Sequence, residues 1–155
     1  MCPGSNLANT ASLLHHAFQS LPAPSSSVNW TGFYVKDQTA APSTPRLILG
    51  PFIGQVACQT IPFGKGVCGD AAVKAETQIV PDVEARPGHI ACDGATKSEI
   101  VVPIVEEVGD EYVGYIDRVV GVIDVDCADL EGFDEVDKEW LERLAKLLAK
   151  SCDWP

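Results

Sequence analysis

A chain of 155 residues with 46% hydrophobic content has the size of one domain and enough apolar material for a core, which excludes a disordered polypeptide. Its 22 acidic against 11 basic residues give a formal charge of −11 with no Lys/Arg block to neutralise phosphates, which excludes nucleic acid and anionic membrane surfaces as partners. No apolar stretch approaches the ~20 residues that span a bilayer, and "MCPGSNLANTASLLHHAF" lacks the basic start and continuous apolar run of a signal peptide, so a cytoplasmic location is expected.

The first predicted element is a helix over about residues 6–21, with Leu7, Leu14, Phe18 and Leu21 on its apolar face and Pro22 and Pro24 ending it. "WTGFYVKD" and "RLILGPFIG" read as strands around the polar loop "QTAAPSTP". "VACQTIPFGKG" is extended and closes on a glycine turn, "GVCGDAAVKAE" is a short helix and "TQIVPDV" a short strand. The loop "GHIACDGATK" leads into strand "SEIVVPIVEE", and Gly109 with Asp110 suggests the turn after which "EYVGYIDRVVGVIDVD" returns antiparallel. A last helix over about 134–151 has Asp134 as N-cap and Val136, Trp140, Leu144, Leu147 and Leu148 at helical spacing. Strands flanked by terminal helices predict one α+β domain over residues 1–155, with an antiparallel sheet and a core at about 28–130.

In a reducing compartment six cysteines read as redox-active or inert rather than as three structural bridges. No CxxC or HxxxH pair is present, so no metal site is expected. Cys58, Cys68 and Cys92 stand in glycine-rich or polar surroundings, whereas Cys2, Cys127 and Cys152 read as inert. His89 lies three residues before Cys92 and either favours its thiolate or is an ordinary surface histidine.

On strand "VVGVIDVDC" the period of two puts Val120, Val122, Asp124 and Asp126 on one face. Two carboxylates continuing an apolar row either cap the strand end in solvent or have a partner, because an unpaired buried carboxylate is costly. Glu99, opening the partner strand, falls at the same end of the hairpin and is either a third member of that group or an ordinary edge glutamate. Clustered carboxylates raise one another's pKa, so that one can remain protonated and serve as a general acid. Trp30 and Tyr34 in "NWTGFY" suit either a core or a pocket that encloses a methyl or cationic group.

"NWTGFY", "LILGPFIGQVACQTIPFGKGVCGDAA", "GHIACDGATKSEIVVPI" and "GVIDVDC" together resemble the free methionine-(R)-sulfoxide reductases, a family of GAF-domain enzymes. The resemblance runs from about Asn29 to the final helix and includes three cysteines with nine and then 23 residues between them. It implies a GAF-like fold with a central sheet of about six antiparallel strands, and reduction of free L-methionine (R)-S-oxide to methionine. It assigns Cys92 as the attacking thiol, Cys58 as the resolving thiol and Cys68 as an auxiliary or alternative resolver. Glu99, Asp124 and Asp126 match the family's acidic residues, and Trp30 and Tyr34 its pocket aromatics. No bound cofactor is implied; thioredoxin, supplied by NADPH and thioredoxin reductase, is the implied external reductant, and a homodimer is left open. The alternative class is a GAF module that senses a small molecule without catalysis. "VEEVGDEYVGYIDRVV" is longer than in bacterial members of the family, "QTAAPSTP" is an extended loop, and both are expected outside the pocket.

Overall fold

In the computed structural model, residues 3–87, 94–110 and 114–154 are described. The chain runs α1 (Pro3–Gln19), a short 3-10 turn, β1 (Val28–Lys36), β2 (Arg46–Ile53), β3 (Thr60–Pro62), α2 (Gly66–Lys74), β4 (Gln78–Val80), β5 (Ser98–Asp110), β6 (Gly114–Cys127) and α3 (Glu135–Ser151). The strands form one six-stranded sheet in the order β3-β2-β1-β6-β5-β4, every pairing antiparallel. The α+β reading therefore holds. No described helix is long and apolar enough to cross a membrane.

Both faces of the sheet are covered, as its central strands require. Along β1, Phe33 and Val28 face one side, while Trp30 and Tyr34 face the other. The first face is roofed by α1 and α3, whose Leu7, Phe18, Leu141, Ala145 and Leu148 pack on Ile100, Val102, Ile123 and Val125. The second face carries α2, whose Val67, Cys68, Ala71 and Ala72 pack on Tyr34, Val101 and Val122. Two half-cores thus share one sheet, and the site lies in the second.

Three sequence expectations are corrected. Helix α1 begins at Pro3, where a proline costs no intrahelical hydrogen bond, and ends at Gln19 rather than Leu21. Its buried face is Leu7, Ala11, His15 and Phe18; Leu14 is only partly buried and Leu21 is exposed. His15 holds a core position because its Nδ1 bonds Thr31 Oγ1 at 3.3 Å. Burial, with His16 adding to it, depresses its pKa and favours the neutral ring.

On α3, Val136, Trp140 and Leu147 are each about 60% exposed, against the expectation that they face the core. The buried row is Leu141, Ala145, Leu148 and Ala149, and the Arg143 guanidinium lies 4.7 Å from the Trp140 ring centroid. The N-terminus is as expected: Asp134 accepts from Val136 N and Asp137 N, and the Asp137 carboxylate accepts in turn from Asp134 N.

The third correction concerns β6. A register shift between Ile104 and Val105 places two residues of β6, Val119 and Val120, against one step of β5. Val120 consequently packs in the α1/α3 half-core, and Val119 packs against the other, so the expected row Val120–Val122–Asp124–Asp126 begins only at Val122. The hairpin itself is as predicted, although β5 runs through Gly109 and Asp110 before turning.

Candidate active site

The floor of the site is a row across three strands. Trp30 on β1 pairs with Asp126 on β6, and Asp126 pairs with Glu99 on β5. One step along, Gly32 on β1 pairs with Asp124, which pairs with Val101. Period-two alternation sends Trp30, Tyr34, Asp124, Asp126 and Glu99 to the same face, beneath a cavity of ≈ 70 Å³ that all five line. The walls come from the segment before β3, with Val56, Ala57 and Cys58, and from the start of α2, with Lys65 and Cys68.

Trp30 is held by what its neighbours lack. A Cβ at Gly32 would run into Phe52 and lie 2.6 Å from the Trp30 ring, and one at Gly54 would strike the same ring. Gly54 also has φ +142°, which few other residues adopt. In the space so left, Trp30 stacks on Phe52 (centroids 5.2 Å) and on Tyr34 (6.0 Å), and its Nε1 donates to Gln55 O at 3.1 Å.

Glu99 and Asp124 are each only 6% exposed, which disposes of the solvent-cap and edge-glutamate readings for both. Burial, then the charges of Asp124 and Asp126, drive the Glu99 pKa well above the carboxylate range, with Arg86 pulling weakly against them. Burial raises Asp124 to about 7, while hydrogen bonds from Cys68 and Glu99 favour its charged form. At neutral pH Glu99 is therefore the protonated member and donates to Asp124. The Cys68 thiol is also pushed up, by burial first and then by Asp124 and Glu99, so it stays a protonated donor and not a nucleophilic thiolate. Tyr34 is kept neutral by burial and by the same acidic group.

Seven residues singled out from sequence, Trp30, Tyr34, Cys58, Cys68, Glu99, Asp124 and Asp126, meet around this one cavity. Cys58 is held in a disulfide. Cys68, Cys127 and Cys152 are free thiols, so its partner falls outside the described residues. Cys92, His89 and Cys2 also fall outside them. Cys127 and Cys152 are buried in the opposite half-core, as inert cysteines are expected to be, the first near Pro24 O and the second accepting from Asn6 Nδ2.

Sequence reasoning missed Lys65 and Thr96. Thr96 lines the cavity, is 9% exposed, and its Oγ1 is buried without a hydrogen-bond partner among the described residues, a condition shared by Asp124 Oδ1. Unpartnered buried polar atoms facing a cavity are costly unless a ligand satisfies them. Nothing in "GATKSE" distinguishes Thr96 from an ordinary loop threonine; only the fold aims it.

Comparison with known proteins agrees with this geometry. Residues 5–151 match the GAF domain family. The chain is 60% identical over 147 residues to the free methionine-R-sulfoxide reductase of Saccharomyces cerevisiae, covering 95% of this chain and 74% of that one. A solved GAF-domain structure is 56% identical and superposes with a TM-score of 0.86 over 99% of this chain and 78% of its own. The free methionine-R-sulfoxide reductase of Neisseria meningitidis, solved in complex with its substrate, is 42% identical, with a TM-score of 0.77 over 96% of this chain and 76% of its own.

Proposed function

Because the chain belongs to the GAF-domain family of free methionine-(R)-sulfoxide reductases, we propose that it reduces free L-methionine (R)-S-oxide to L-methionine through a cysteine sulfenic acid and a disulfide, with thioredoxin as reductant. The observation that carries this reading is a proton-holding carboxyl, Glu99, on the same cavity as a disulfide-bonded cysteine, Cys58.

A sulfoxide is a poor electrophile until its oxygen is protonated or strongly hydrogen-bonded. Glu99 supplies that proton as general acid. The Cys92 thiolate attacks sulfur, methionine leaves, and the oxygen stays on Cys92 as S–OH. The Cys58 thiol then displaces that oxygen as water, forming the Cys58–Cys92 disulfide. A thioredoxin dithiol reduces the disulfide by exchange, and NADPH restores thioredoxin through its reductase, so each sulfoxide consumes two electrons and yields one water. Asp126 and the ionised form of Asp124 attract the substrate ammonium, while Trp30 and Tyr34 enclose its methyl group. A reducing cytoplasm suits this cycle.

The test is NADPH oxidation coupled through thioredoxin with the separated epimers of free methionine sulfoxide. Turnover of the R epimer alone supports the proposal. Absence of turnover with both epimers would leave a small-molecule sensor as the better reading.

A further inference from the structure

Cys68 Sγ and one carboxylate oxygen each from Glu99 and Asp124 lie within 4.8 Å of one another, all three side chains buried. The cysteine comes from α2, the glutamate from β5 and the aspartate from β6, so no spacing in the sequence announces the group. A second observation points from this cluster to a ligand: Asp124 Oδ1 is buried, lines the cavity, and has no hydrogen-bond partner among the described residues.

We propose that Cys68, Glu99 and Asp124 form a binding site for Zn²⁺, with the fourth ligand position open to the cavity. One sulfur and two carboxylate oxygens are donors that zinc accepts, at about 2.0–2.3 Å from the ion, and a tetrahedral arrangement puts such donors roughly 3.5 Å apart. The three donor atoms already lie within 4.8 Å of one another, with Asp124 hydrogen-bonded to both of the others. The thiol excludes magnesium and calcium, which take oxygen ligands.

Binding is a proton exchange and not a redox step. The Cys68 thiol proton and the proton held by Glu99 leave to solvent, and the ion takes their place between one thiolate and two carboxylates. Asp126 adds further negative charge beside the cavity, and Arg86, paired with Asp70 at 2.8 Å, opposes it. Zinc so held covers the acidic floor and blocks the cavity reversibly. The inference rests on the cavity's geometry and not on the reductase reading.

The disulfide form of the protein makes the test selective, since Cys58 is then unavailable as a ligand. Cadmium, a zinc surrogate whose thiolate complexes absorb in the ultraviolet, is titrated into this form in chelator-treated buffer. The expected result is a sulfur-to-cadmium charge-transfer band saturating at one equivalent and displaced by zinc. Cys68→Ser should abolish the band, Asp124→Asn should weaken binding at least about tenfold, and Cys152→Ser should leave both unchanged. A band that persists in Cys68→Ser, or no stoichiometric band in the parent protein, overturns the proposal. If Cys68→Ser fails to fold by circular dichroism, Asp124→Asn and Glu99→Gln decide, and unchanged affinity in both overturns it. The titration needs no turnover, so failure of the reductase assay leaves its outcome intact.

Discussion

Glu99 donates a hydrogen bond to Asp124 across the β5–β6 boundary, and the two carboxyls are the least exposed acids of the cavity floor. Exposed, both would ionise near pH 4; here they keep a proton at neutrality. Glu99→Gln preserves the hydrogen-bonding shape and removes the acid, and should lower the chemical step by about 10²–10⁴-fold. Single-turnover release of methionine measures it. A near-normal rate in this variant, with Asp124→Asn and Asp126→Asn inactive, would move the acid to one of the aspartates.

The same pair sets a pH dependence of stability with a definite sign. The Asp124 pKa rises from about 4 in the unfolded chain to about 7 when folded, so between those values the native state binds more protons. Its contribution is fully present below about pH 4 and is lost as pH climbs through about 7; Glu99, its pKa also raised by burial and by the charges of Asp124 and Asp126, acts in the same direction. Urea midpoints should therefore fall more between about pH 5 and about pH 8 for the parent protein than for Asp124→Asn. Equal slopes would show that Asp124 titrates as an exposed residue.

The thiols separate kinetically. Cys92→Ser should release no methionine even in one turnover, a serine hydroxyl being a far weaker nucleophile toward sulfur. Cys58→Ser should release close to one methionine per site and then stall under thioredoxin, holding a sulfenic acid that dimedone traps, unless Cys68 resolves it. Cys127→Ser and Cys152→Ser should turn over normally, their thiols lying in the opposite half-core. Rapid-quench assay of each variant reads all of this.

Free and peptide-bound substrates should differ as strongly. In the proposed role, Asp124 and Asp126 hold the substrate ammonium and have no compensation for an amide, and leaving the buried Asp124 unpaired is costly. Turnover of N-acetylmethionine sulfoxide at rates comparable to the free amino acid would contradict the ammonium role of Asp124 and Asp126.

Helix α3 offers a stability contrast between adjacent residues. Leu141→Ala should cost about 2–5 kcal/mol, the range for a buried leucine, because Leu141 is 3% exposed. Trp140→Ala should change stability by no more than about 0.5 kcal/mol, since its ring is 61% exposed. Denaturant unfolding of the two variants checks the assignment of faces.

The Trp140 case also marks how far sequence reading reached. Strands were legible because Phe33 and Val35 alternate with Trp30, Gly32 and Tyr34 at the period that fixes a face, and the acids fell together because Glu99 and Asp126 bracket a hairpin whose register follows from its turn. Helix faces were harder. Leucines and a tryptophan spread around α3 allow more than one apolar stripe, and the small residues Ala145 and Ala149, which admit close packing, carry little hydrophobic signal. The β6 irregularity was illegible, since Val119 and Val120 are interchangeable to any periodicity argument. Thr96 depends on the path of the chain into β5, and the meeting of Cys68 with Asp124 on a helix docking across the sheet; neither is local.

The extra residue at Val119–Val120 separates the long hairpin into two mechanical parts. Below it, β5 and β6 are clamped between half-cores and carry the acids. Above it, residues 105–110 and 114–119 form a two-stranded ribbon, largely half-buried or exposed, steadied at its base by the Arg118–Glu106 ion pair at 2.6 Å. Because β6 beyond that step is paired on both sides, with β1 and with β5, twisting or lengthening the ribbon is not transmitted as a slip of register to Asp124 and Asp126. The ribbon is thus the natural insertion point for a peptide tag or a tethered fluorophore: a handle joined to the acidic floor of the cavity through a fixed joint.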